Sequence, residues 1–333
     1  MAIIEVKELS KVFKIKKREP GFVGALKGLF SNVYEEKKAV DNISFNIDEG
    51  EIVGYIGPNG AGKSTTIKIL VGILTPTFGQ VEVKGIIPYN NRQENARNIG
   101  VVFGQRTQLW WDIPVSETLD LLRHMYKVPL DVYKKNLELF TDILGIDKFI
   151  HTPVRQLSLG QRMRADICAA LLHNPPIVYL DEPTIGLDVV VKENIRTFIK
   201  EINRQRKTTV LLTTHDVSDI EKLCSRVMVI DKGQIMYDGS LELLKREYEE
   251  DGKMTVVLDN PVEKTEELEK MGIEDLNIDG NRIAFKYNQK KILPIDIINY
   301  LMTEYKIIDF KIEEPEIEDV IRNIYLKRKR MAG

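Results

Sequence analysis

The stretch Glu51-Ile52-Val53-Gly54-Tyr55-Ile56-Gly57-Pro58-Asn59-Gly60-Ala61-Gly62-Lys63-Ser64-Thr65-Thr66-Ile67-Lys68-Ile69-Leu70-Val71 decides how this chain folds. Its first six residues form an apolar run of strand length. Residues 57–65 then fit the spacing G-x-x-x-x-G-K-[ST]. The glycines let the backbone curl so that successive N–H groups point inward at phosphate oxygens. Lys63 adds a point charge for the β- and γ-phosphates, and the Ser64 hydroxyl suits Mg2+. A helical run follows over 66–71, so a helix starting near Ser64 aims its positive end at the same phosphates. Gly57, Pro58, Asn59, Gly60, Ala61, Gly62, Lys63, Ser64 and Thr65 are therefore the candidate phosphate-binding residues.

Outward from this loop, strand and helix patterns alternate. Residues 3–6 read as a short strand, and 43–47 alternate apolar and polar side chains as a half-buried strand does. Residues 81–83 and 100–103 read as further strands. From 115 to about 150 the period turns helical, with Leu119, Leu122, Met125 and Tyr126, then Leu137, Phe140, Ile143 and Leu144. Residues 162–173 form another helix. The runs 177–180 and 209–213 are fully apolar or β-branched, as strands buried in a parallel sheet are. Residues 227–230 and 234–238 form a strand pair around Asp231-Lys232-Gly233. The layout predicts an α/β fold with a mostly helical insertion between two halves of the sheet.

The strand 177–180 ends in Asp181-Glu182. Asp181 can hold Mg2+ through water. Glu182, at the strand tip, is positioned to polarise an attacking water. The plain alternative, a strand capped by Asp-Glu-Pro at a turn, loses weight beside a phosphate loop.

A third motif, Leu157-Ser158-Leu159-Gly160-Gln161, precedes a helix upstream of Asp181. With it the chain resembles the nucleotide-binding subunits of ABC transporters, whose signature reads L-S-G-G-Q. The other landmarks of that family appear in order. Gln105 follows the strand 101–103 as the Q-loop glutamine does. Gly186-Leu187-Asp188 matches the D-loop. His215, after the strand 210–213, matches the switch histidine. These motifs span residues 3–245, most of the chain. The resemblance implies a P-loop (RecA-like) ABC ATPase core over residues 1–245, with an antiparallel β subdomain and a helical subdomain at about 106–160. The helical insertion and Asp181-Glu182-Pro183-Thr184 fit the exporter-type (ABC-2-like) subgroup.

The resemblance also implies a mechanism. Two copies face each other head to tail with two ATP molecules between them. Each ATP lies on one copy's phosphate loop and meets Ser158, Gly160, Gln161 and Asp188 of the other. Catalysis falls to Glu182, His215 and Lys63, and Mg2+ to Ser64, Gln105 and Asp181. Gln105 also touches ATP, and its loop links nucleotide state to a transmembrane permease subunit. Phe13 is the best match for the adenine-stacking aromatic. Tyr34 is the substitute, because an insertion separates Phe13 from the phosphate loop. The signature departs from the family at Leu159, where a Cβ crowds the loop near the γ-phosphate. A modest effect on dimer closure is expected.

Length and composition agree. The 333 residues hold one large domain and a small one. Hydrophobic residues at 43% and charged residues at 29% describe an ordinary soluble globular protein. A net charge of −2 excludes the strong basic excess of a dedicated nucleic-acid binder. The cysteines, Cys168 and Cys224, give no disulfide framework and read as small core residues in a reducing compartment. No apolar stretch reaches the ~20 residues of a helical span, and the N-terminus opens like a strand and unlike a signal peptide. The expected partners are a permease and a second copy of the chain, on the cytoplasmic face of the cell membrane. The rival reading is a soluble ABC-type ATPase with a non-transport partner. Such proteins tend to carry a second phosphate loop or long heptads, and neither appears.

Three regions stand outside these motifs. Trp110 and Trp111 either line a groove for the membrane subunit or pack the helical insertion's own core. At about 14–38, Phe22, Val23, Leu26, Leu29, Phe30, Val33 and Tyr34 recur at helical spacing between lysines, predicting an amphipathic helix that covers the ATPase domain or lies on a membrane. Residues 250–333 read β-α-β-β-α-β with a last helix, a small ferredoxin-like domain. Its strands are expected at 254–258, 282–286 and 306–312, and its helices at 262–271, 292–305 and 316–326. The basic run 327–330 reads as a solvated tail, or as a contact for anionic lipid.

Overall fold

The computed structural model describes residues 1–16, 34–104, 106–214, 216–248, 251–261, 268, 270–288, 291–313, 317, 320–322 and 324. Its contacts divide the chain into two compact units, Met1–Gly239 and Ser240–Gly333. The first unit runs β1 (Ala2–Lys16), β2 (Tyr34–Asp48), β3 (Ile52–Ile56), α1 (Lys63–Leu70), β4 (Phe78–Val83), α2 (Arg92–Asn98) and β5 (Ile99–Phe103). It continues through α3 (Val115–Met125), α4 (Leu130–Leu144), α5 (Leu159–Leu171), β6 (Ile177–Asp181), α6 (Val189–Arg206) and β7 (Thr209–Thr213). It closes with α7 (Val217–Leu223), β8 (Arg226–Asp231) and β9 (Gln234–Ser240).

Six of these strands make the central sheet, in the order β5-β6-β7-β3-β8-β9. The pairs β5–β6, β6–β7, β7–β3 and β3–β8 are parallel. Every residue of β3 and of β7 is buried, which is why both read as unbroken apolar or β-branched runs. A second, antiparallel sheet has the order β2-β1-β4. One core fills the space between the sheets. Ile4, Val6, Leu9, Ile43 and Phe45 from one side meet Val53, Tyr55, Tyr179, Leu211 and Met228 from the other, with Ile67 and Leu70 of α1. The Tyr55 hydroxyl, fully buried, lies 3.2 Å from the Thr66 hydroxyl and so keeps a partner.

β1 and β2 are much longer than the sequence predicts. They pair from Ala2↔Asp48 to Lys16↔Tyr34 with several register irregularities. Only their inner ends show an apolar face, with Ile4, Val6 and Leu9 buried. The outer ends are held by ladder hydrogen bonds between polar residues such as Lys14 and Glu36, so no apolar alternation announces them. Residues 14–16 and 34–38, expected in an amphipathic helix, are therefore strand. The rest of that expected helix, residues 17–33, lies outside the described residues. Among the described residues no helix is long and apolar enough to cross a membrane.

The second unit holds α8 (Leu241–Tyr248), β10 (Asp251–Leu258), β11 (Ile273–Asp279), β12 (Arg282–Asn288), α9 (Pro294–Glu304) and β13 (Ile307–Glu313). Its sheet order is β11-β12-β10-β13, with each neighbouring pair antiparallel, as a ferredoxin-like domain requires. Met254, Val256, Leu258, Ile283, Phe285 and Tyr287 pack with Ile297 and Leu301 of α9 into its core. Most of the helix expected at 262–271 lies outside the described residues, although Leu268 and Lys270 are helical. The helix expected at 316–326 is represented by Ile317, Val320, Ile321, Arg322 and Ile324. The tail 327–330 lies outside them altogether.

Candidate active site

Because β6, β7 and β3 are parallel neighbours, their carboxyl ends open on one edge of the sheet, where ligands of such sheets bind. β3 runs there into the phosphate loop and α1. Gly62, the residue capping α1, has φ 113°, a conformation closed to most side chains, and a Cβ on it would collide with the carbonyl oxygen of Ala39. A Cβ on Gly57 would strike the Ile230 carbonyl oxygen in the same way. The loop thus lies pressed onto β2 and β8, and Gly233 N–H donates to Ala61 O at 2.9 Å from the β8–β9 turn. Lys63 is only 6% exposed and folds back over the loop, its Nζ donating to Gly57 O at 2.5 Å and Pro58 O at 3.3 Å. Burial pulls its pKa down, while the nearby Glu182 and Asp181 carboxylates pull it up. Ser64 is exposed at the mouth of the loop.

The carboxylates come from β6. Thr213, fully buried at the end of β7, donates its hydroxyl to Asp181 Oδ1 at 2.5 Å. The same residue accepts the Glu182 N–H, at its carbonyl oxygen (2.9 Å) and at its hydroxyl (3.2 Å). Glu182 takes a left-handed backbone, φ 57°, which for a non-glycine residue costs on the order of 1 kcal/mol. The chain reverses there as soon as β6 ends.

The phosphate loop, with Lys63, and Glu182 share one cavity of about 520 Å3. Its lining includes Phe13, Lys37, Lys63, Ser64, Thr65 and Glu182. Phe13 stands on it with the Lys11 ammonium 5.3 Å from its ring centre. Tyr34, its substitute, is absent from the lining and sits at the far end of the β1–β2 ladder, opposite Lys16. Lys14, Ile15, Lys37 and Ala39 line the cavity unforeseen, because the sequence places them in or beside a helix. Gln105 and His215 lie outside the described residues.

The signature opens α5, which begins at Leu159, earlier than the helix expected from residue 162. Ser158 caps it, its hydroxyl accepting Gln161 N–H at 3.2 Å while Gln161 Oε1 accepts Ser158 N–H at 2.9 Å. This is a closed capping box. Leu159 is 40% exposed, and its side chain lies against Gly186. Asp188 caps α6, accepting Val191 N–H at 3.0 Å. Gly160 packs against that same Val191, so signature and D-loop helices meet at their starts. Both are remote in sequence from the phosphate loop, and neither Ser158 nor Asp188 lines its cavity.

Behind Glu182, one buried carboxylate ties two loops together. Asp219 accepts from Thr184 Oγ1 at 2.5 Å and Thr214 Oγ1 at 2.9 Å. Its other oxygen accepts from Arg196 Nε and Nη2, both at 2.6 Å. Thr184 follows Glu182, and Thr214 ends the segment that precedes position 215. Sequence reasoning missed Asp219, Arg196 and Thr213, since nothing in their spacing marks them.

This edge of the sheet has the parts of a phosphate-loop nucleoside triphosphatase: a cradle for anions, a buried lysine and a carboxylate pair. Comparison with known proteins narrows the class. The family model described as ABC transporter matches residues 40–185. The ABC transporter ATP-binding protein NatA of Bacillus subtilis is 34% identical over 207 residues, 62% of this chain and 84% of that one. Methionine import ATP-binding protein MetN 2 of Enterococcus faecalis is 31% identical over 315 residues, 92% and 85% of the two chains. The dimeric ATP-binding cassette MJ0796, solved with ADP and Pi in a post-hydrolysis state, matches with a TM-score of 0.59 at 28% identity. That match covers 72% of this chain and 98% of the other. The chain belongs to the ABC transporter family, as an ATP-binding subunit. It is an ATPase whose work is coupled to transport.

Proposed function

We propose that this chain hydrolyses Mg-ATP at the cavity between the phosphate loop and Glu182, within Met1–Gly239, and that closure of two copies on ATP drives a separate permease. One observation carries the reading. Lys63 and the phosphate loop face the same cavity as Glu182, while Thr213 fixes Asp181 and the Glu182 backbone together. Catalysis in such a site is positioning and charge stabilisation. Loop N–H groups and Lys63 hold the β- and γ-phosphates. Glu182 orients the attacking water and takes its proton, with His215 assisting at the γ-phosphate. Phe13 stacks the adenine.

The oxygen donors suit Mg2+, a hard cation that keeps several waters and needs few protein ligands. Ser64 and Asp181 would hold it, with Gln105 beside them, and it would neutralise phosphate charge. Among the described residues no cluster of three His, Cys, Asp or Glu competes for a metal.

Ser158, Gly160, Gln161 and Asp188 meet the nucleotide of the second copy in this scheme. The permease docks at Trp110 and Trp111, which places the chain on the cytoplasmic face of the membrane. Their exposures, 43% and 49%, run against the alternative that they pack an internal core. The permease, and not this chain, reads the cargo. Glu182→Gln is the test. It should bind ATP yet turn it over at least ~100-fold more slowly, and self-associate more tightly with Mg-ATP than without it in light scattering. Near-normal turnover would refute the assignment.

A further inference from the structure

The sheet of the second unit ends on β13, which among the described residues pairs with β10 alone. Its outer row of backbone groups is a template for another strand. Ile308, Phe310 and Ile312 on it are 62%, 48% and 44% exposed. Phe310 and Ile312 stand opposite Val256 and Met254, both in the unit's core, so they carry its apolar face out to the edge strand.

The order of residues selects the occupant. Residues 308–312 read Ile-Asp-Phe-Lys-Ile, which is its own complement about Phe310. Laid antiparallel on a second copy with Phe310 opposite Phe310, Asp309 faces Lys311 twice, and Ile308, at which the ladder with β10 shifts register, comes opposite Ile312. Centring the pair on residue 311 instead would set lysine against lysine and Asp309 against Glu313. Centring it on 309 would set aspartate against aspartate. Pairing about 310 is thus favoured over both neighbouring symmetric registers, and a two-fold contact uses the same patch on both copies. The Lys311–Glu313 ion pair at 2.8 Å joins exposed side chains and is readily exchanged.

We infer that β13 pairs with β13 of a second copy of this chain, joining two C-terminal sheets into one continuous sheet, independently of nucleotide. The full chain without nucleotide, at tens of micromolar in light scattering, should be dimeric. Asp309→Lys or Lys311→Asp alone should raise the dimer dissociation constant at least ~10-fold, and the double exchange D309K/K311D should restore it. Native Cys168 and Cys224 are buried, so introduced cysteines report the register. Phe310→Cys should cross-link to itself, because directly opposed residues lie within disulfide reach. Ile308→Cys should cross-link to Ile312→Cys in a mixture and not to itself. The inference is overturned if the chain is monomeric without nucleotide, or dimeric only with Mg-ATP. It is also overturned if the single reversals leave the dimer intact or the double exchange fails to restore it.

Discussion

α1 and α5 both start at segments that the family resemblance assigns to phosphate, and they start differently. α1 is capped by Gly62, which offers no side chain, and its first turn carries no acid. Its leading N–H groups and helix dipole are left for an anion on the same chain. α5 is sealed by Ser158 and Gln161, each accepting the other's backbone N–H. For α5 to meet the nucleotide of a second copy, it must exchange hydrogen bonds it already has for new ones. A cap of this kind is worth about 1 kcal/mol, so the gain on closure is reduced by a comparable amount. On the proposed mechanism, the difference lets one chain hold nucleotide firmly while the joint between two chains stays reversible.

The largest expected effect tests the open helix. Gly62→Ala forces a side chain to φ 113° and into Ala39, so affinity for a fluorescent ATP analogue should fall at least ~100-fold, about 3 kcal/mol. Retained affinity would break the comparison at its first term. The second prediction tests the sealed helix. Ser158→Ala should lower stability to urea by about 1 kcal/mol. In the Glu182→Gln background it should reduce the ATP-driven gain in self-association ~10-fold, while nucleotide affinity of each chain stays within ~2-fold. If single-chain affinity collapses as well, the two helices do not divide the labour.

A third prediction concerns the far end of α5. His173 stacks on Tyr126 with ring centres 4.0 Å apart, and its Nε2 lies 3.2 Å from the Ile99 carbonyl oxygen. Burial pushes its pKa down to about 4 from 6.5. The unfolded chain therefore takes up the proton first. The stabilisation is present above pH ~6.5 and is lost as pH falls through the window toward 4. In His173→Gln the decline of thermal stability between pH 7 and 5 should be shallower, by on the order of 1 kcal/mol at pH 5. Burial pushes Asp166 up to about 6, which has the opposite sign, so Asp166→Asn is the control. An unchanged slope in His173→Gln would show that the histidine does not titrate with folding. The smallest effect is expected from Leu159→Gly. It removes the contact with Gly186 and places glycine in a helical first turn. Stability should drop by about 0.5–1 kcal/mol, and dimerisation by Glu182→Gln should strengthen only a few-fold.

The sheet's centre was readable because burial on both faces leaves no polar alternation, as in 177–180 and 209–213. β1 and β2 were read short because their outer halves are held by backbone pairing between charged residues. β11 was not located, since Ile273 is its one buried residue and Asp275 interrupts it with φ 54°. The phosphate loop and carboxylates announce themselves because their chemistry is local. Thr213, Arg196 and Asp219 do not, because their roles arise from neighbours brought together by the sheet. Leu159 was legible as a departure, but its packing on Gly186 was not.

The Asp219 cluster has a consequence for how this chain drifts. Arg196 is 4% exposed and Asp219 fully buried; removing Arg196 leaves Asp219 a buried charge held by hydroxyls alone, at a cost of about 3–5 kcal/mol, whereas removing Asp219 leaves Arg196 with Glu193 at 3.3 Å and Asp216 at 3.5 Å. A typical domain has little more stability than that to lose. Position 196 is therefore not free to wander while Asp219 stays. Lineages should lose the arginine only with the carboxylate or after it, with hydroxyls at 184 and 214 following the choice of carboxylate.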